Sequence, residues 1–116
     1  MSVPATSSEI WQELRLRISE EELVAAVYRQ LKSDIERSGS TIPFAPDLPP
    51  DSWKNALAHW LPGLSAGELH SYLYLVDLPE KLLNLLTGSD RFFEQLADSI
   101  IYREMVKVYY RINYST

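Results

Sequence analysis

One stretch constrains the fold more than any other. Residues 89–112 (SDRFFEQLADSIIYREMVKVYYRI) contain no Gly or Pro, and their apolar side chains recur at helical spacing: Phe93, Ala97, Ile100, Ile101, Met105, Val108 and Ile112. A second apolar line, Tyr102, Val106, Tyr109 and Tyr110, flanks the first. A helix that is apolar around so much of its circumference must be covered on several sides, by its own chain or by another copy. The expected fold class is therefore all-α: a compact bundle of five to six helices packed around a long C-terminal helix.

The rest of the chain supplies the covering elements. Ser7 or Ser8 is positioned to cap a first helix over residues 9–18, where Ile10, Trp11, Leu14 and Ile18 form one face. The alternation from Leu14 to Ile18 also fits a strand, but no second strand exists to pair with it, so helix is preferred. Ser19 with Glu22 three residues on reads as a capping box, with Ile18 and Leu23 as the hydrophobic staple. Val24, Val27, Tyr28, Leu31 and Ile35 then make one buried stripe, and Gly39 is the expected stop.

Residues 38–50 (SGSTIPFAPDLPP) hold four of the seven prolines and predict a long loop, held to the body through Ile42, Phe44 and Leu48. A short helix over residues 50–61 follows, with Trp53, Leu57, Trp60 and Leu61 on one side, and Pro62 and Gly63 end it. Ser65 and Glu68 form a second capping box, opening a helix that turns Leu69, Tyr72, Leu73 and Val76 inward. Asp77 to Glu80 repeats the signature with Pro79 in the first turn, ahead of a leucine-rich helix closed by Gly88. By this reading residues 1–7 are a flexible N-terminal leader and residues 8–116 one helical domain.

Composition narrows the function classes. At 116 residues the chain has the length of one ordinary domain, which buries roughly two-thirds of its unfolded surface. The absence of Cys removes disulfides, thiolate metal sites and Cys nucleophiles, and it is compatible with a cytoplasmic address. Unbroken apolar runs are only a few residues long, so no membrane partner is expected. A net charge of −5 disfavours nucleic acid, whose phosphates are held by Lys and Arg. The charge is uneven: Arg103, Lys107 and Arg111 against Glu104 leave residues 101–116 at +2, so residues 1–100 carry −7.

Catalytic signatures are missing. Neither HExxH, ExxH, GxSxG, GxGxxG nor a Walker loop occurs. His59 falls opposite Trp53 and Trp60 and reads as a surface side chain, while His70 at the margin of its stripe reads as a partner for Asp77 or a carbonyl. The acids Asp77 and Glu80 are explained by the cap. No catalytic residue, cofactor or metal is expected, and the reading leans against an enzyme. What remains is the Tyr- and Arg-rich end, where Tyr102, Arg103, Lys107, Tyr109, Tyr110 and Arg111 combine side chains enriched at protein interfaces. The expectation is a protein–protein interaction module or homo-oligomeric subunit, a homodimer included; its counterpart is that these rings cover the domain's own core. The alternative is a small-ligand-binding or enzymatic helical domain with a pocket near Trp53, Trp60, His70 and Tyr74.

Overall fold

A computed structural model describes residues 3–114. Three hydroxyl caps set where its helices begin. Thr6 accepts the backbone N–H of Glu9 at 3.1 Å and opens α1 (Ser7–Leu14), one residue earlier than the serines nominated from sequence. Ser19 accepts the N–H of Glu22 at 3.1 Å and opens α2 (Glu20–Arg37). Ser65 opens α4 (Ala66–Val76), and here the box is complete: Glu68 also accepts the Ser65 backbone N–H at 2.8 Å, which holds its carboxyl below the usual range. At Ser19 the reciprocal bond differs from expectation, because the Glu22 carboxylate takes the serine hydroxyl instead of its backbone N–H.

The remaining elements are α3 (Trp53–Trp60), entered and left through short 3-10 turns, α5 (Glu80–Leu86) and α6 (Phe92–Tyr114). The six helices agree with the five to six expected, and among the described residues there is no strand. The alternating Leu14, Leu16 and Ile18 form a turn: Arg17 and Ile18 both donate to the Leu14 carbonyl, at 2.9 and 3.1 Å, so the first helix ends at Leu14, earlier than expected. Gly39 and Gly88 sit at φ +94° and +90°, a conformation that costs other residues a Cβ clash and that stops α2 and separates α5 from α6.

Asp77 corrects a sequence-based reading. It does not cap α5; it is the left-handed C-cap of α4, at φ 66°, and its carboxylate takes Arg103 of α6 at 3.0 Å. Pro79 is itself the residue before α5, one position short of the first turn. That helix buries no residue, and Leu85 stays outside.

The Pro-rich loop is pinned by hydrogen bonds and rings. Tyr28 donates to the Phe44 carbonyl at 2.8 Å, Trp53 Nε1 donates to the Leu48 carbonyl at 3.0 Å, and the Phe44 ring stacks on Trp53. At the other end of the chain Val3 packs on the core and Tyr102 donates to the Pro4 carbonyl at 2.9 Å; Met1 and Ser2 lie outside the described residues.

Every other helix except the loosely seated α5 presents buried apolar side chains toward a core that α6 threads, including Leu96, Ala97, Ile100, Val106, Val108 and Tyr109. Ile100 is fully buried there. Its replacement by Ala is expected to cost about 2–5 kcal/mol in chemical denaturation, through lost burial and a residual cavity. A loss near zero would mean that α6 is not the central element.

Candidate functional site

Two features stand apart from the apolar core: a buried polar cluster and the outer face of α2. The cluster joins three helices. Lys107 of α6 places its ammonium 2.6 Å from Asp34 Oδ2 on α2, 2.8 Å from the Leu75 carbonyl on α4, and 3.1 Å from Glu104 Oε1 one turn back on α6. Asp34 and Glu104 are 2% and 0% exposed. Gln30 Nε2 adds a longer bond to Asp34 Oδ2 at 3.3 Å, and Arg111 donates to the other end of the Gln30 amide.

Glu104 has the unusual position. As a carboxylate it has, among the described residues, no aligned hydrogen-bond donor on either oxygen, since the Lys107 contact is an ion approach without hydrogen-bond geometry. Burial, with a hydrogen bond to Asp34 and the charge of Asp34 acting in the same sense, pushes its carboxyl up to about 9 against the opposing pull of Lys107. At neutral pH it is therefore a carboxylic acid, a donor toward Asp34. Tyr72 is buried beside these groups with its hydroxyl unpartnered, and burial raises that hydroxyl well above its ordinary range. With both acids sealed from water, a substrate has no access to them. The cluster fixes how α2, α4 and α6 sit against one another. The sequence did carry a signal for it: Asp34 and Glu104 occupy positions on otherwise apolar lines.

The six residues expected to form a partner surface divide. Lys107 turns into the cluster, and Tyr109 is 1% exposed, its hydroxyl raised by burial first and by Glu13 of α1 second. Tyr102 is half-buried on Pro4, and Arg103 is tied to Asp77. Tyr110 and Arg111 remain at the surface, with the Tyr114 ring 5.5 Å from Tyr110. The residues of the alternative pocket point in different directions. Trp53 is buried and Trp60 meets Tyr72 edge-on at 5.6 Å, whereas His70 and Tyr74 are exposed. His59 is exposed as well. A cleft of about 770 Å³ does lie beside Tyr102 and Arg103, but its two acids are engaged, Asp77 by Arg103 and Asp98 by Lys54 at 2.9 Å. Among the described residues no group of three His, Asp or Glu side chains is placed to hold a metal ion, and no helix is long and apolar enough to cross a membrane.

The outer face of α2 is built differently. Ala25 and Arg29 line two clefts at once. One, about 360 Å³, runs between α2 and the end of α6, with Ile18, Ala26, Val108 and Ile112 as its apolar lining and Glu22 and Arg111 at its edge. The other, about 690 Å³, runs between α2 and the Pro-rich loop, against Val24, Tyr28 and Pro46. A low ridge of α2 thus stands between two grooves, the shape that another helix can interdigitate with. Among the described residues neither Arg29 nor Arg111 has a carboxylate within ion-pair distance. A scan of protein-family models, a search of curated proteins and a search of solved structures each returned no match to this chain. Its class is that of a small all-helical domain wrapped on one long helix.

Proposed function

We propose that the chain is a protein–protein interaction module, a subunit that docks through the outer face of α2 and the adjoining end of α6. The supporting observation is the ridge at Ala25 and Arg29 with a cleft on each side of it, one lined by Ile18, Ala26, Val108 and Ile112 and the other by Val24, Tyr28 and Pro46 with Glu20, Glu21 and Lys32 around them. Arg111 borders this face, which keeps one residue of the Tyr- and Arg-rich end within the docking surface.

Ala25→Arg tests the reading. The substitution fills both clefts from a half-exposed helical position, and Arg is a good helix former, so folding is spared. Light scattering on a sizing column, with the purified chain over a wide concentration range and with an extract of its own cells, is expected to give a mass above one chain in at least one setting. The variant is expected to lose that excess while its thermal unfolding stays unchanged. A single-chain mass in both settings, or an assembly that Ala25→Arg leaves intact, would sink the reading.

A further inference from the structure

We infer that the occupant of this face is a second copy of the chain, with α2 laid antiparallel across α2 of the other subunit and the two-fold axis between Ala25 and Ala26. The inference rests on the reading of the chain as an interaction module and names its partner. In a two-fold contact each residue i meets a residue j of the other subunit while j meets i. About a point between positions 25 and 26, position 22 maps onto position 29. Glu22 of each subunit is therefore brought to Arg29 of the other, and the axis generates two such ion pairs.

Three further features fit this geometry. The residues at the axis carry only methyl groups, so two α2 backbones can approach closely there. The flanking clefts receive the opposite ridge, with Ile18 and Ile112 as the apolar lining on the α6 side. Among the described residues Arg29 has no acidic partner within its own subunit and the Glu22 carboxylate accepts only from the cap serine, so both have bonding capacity to offer. The signs also select against other occupants. An acidic peptide would meet Arg29 and Arg111 but be repelled at Glu22, and a basic one the reverse. A second copy presents the complementary sign at both ends of the contact.

Charge reversal tests the inference by sedimentation or light scattering. The native chain is expected to form a salt-sensitive dimer. Arg29→Glu alone and Glu22→Arg alone each set like charges opposite one another twice, and each is expected to weaken the dimer by about tenfold or more. Mixing the two single variants restores opposite signs at every contact, and so does combining both substitutions in one chain; both are expected to recover the dimer. Because Glu22 also supports the cap, Glu22→Gln controls for folding, and Arg29→Glu, on an exposed turn in mid-helix, stands on its own. A dimer indifferent to these reversals, or one that the mixture does not restore, overturns this geometry. A chain that stays monomeric when pure, yet enters an assembly in cell extract that Ala25→Arg breaks, overturns the second copy while leaving the interaction module standing.

Discussion

Glu104→Gln is expected to stabilise the domain above neutral pH and to flatten its dependence on pH. The folded-state carboxyl lies near 9 against an ordinary value of 4.5, so between those limits the native state holds a proton that the unfolded chain releases. Stability from this group is then complete below about 4.5 and is lost as pH rises toward 9, at about 1.4 kcal/mol per pH unit. From pH 5 to pH 8 that amounts to roughly 4 kcal/mol, a large part of the 5–15 kcal/mol that holds a typical domain together. Gln keeps the shape and a donor toward Asp34 but has no proton to lose. Urea midpoints of both chains across this range give a difference curve in which the other titrating groups cancel. A gap that widens with pH is the expected result, and a gap independent of pH would show that Glu104 is ionised in the fold.

Local signals placed most of the helices, because caps, glycines and prolines act within a few residues of where they are read. The Ser65–Glu68 box and the Gly39 stop behave as their sequence implies. What local reading could not supply was the identity of the neighbour. Asp77 two residues before a proline looks like an N-cap, and only Arg103, distant in sequence but adjacent in space, reveals it as the end of the preceding helix. Tyr109 and Tyr110 are consecutive on a helix that is apolar nearly all round. Their division into inside and outside is decided by α1, which places Glu13 near Tyr109 and leaves Tyr110 uncovered.

The candidate sites were less legible than the fold, for two different reasons. Periodicity counts apolar letters, so it passes over the acids that interrupt an apolar line: Asp34 continues Val27 and Leu31, and Glu104 sits between Ile100 and Val108, all of them buried. An acid at such a position is itself the sign of a buried polar contact, because a carboxyl there must find a partner or keep its proton. The α2 face was hidden differently. Its ridge residues are ordinary on a wet helix side, and the clefts exist only because the end of α6 and the Pro-rich loop come to lie on either side.

Lys107→Met should be among the most damaging single substitutions in the chain. It removes the ammonium that sits 2.6 Å from Asp34 and 2.8 Å from the Leu75 carbonyl, leaving a 2%-exposed carboxylate with no cation beside it, only the neutral donors Gln30 at 3.3 Å and the Glu104 carboxyl. Stripping one partner from a buried ion pair costs about 3–5 kcal/mol, because the remaining charge is held away from water without compensation. Removing both charges is a different matter. Asp34→Asn combined with Lys107→Met leaves no buried ion, and the double variant is expected to be more stable than Lys107→Met alone. Denaturant titration at pH 7 of the native chain, both single variants and the double variant closes the cycle. If Lys107→Met loses less than about 1 kcal/mol, or if the double variant is as unstable as the single, then Lys107 is not what compensates Asp34. The junction of α2, α4 and α6 would in that case be held by its apolar contacts, and the same cycle would remove the cluster from any account of how the α2 face is kept in place.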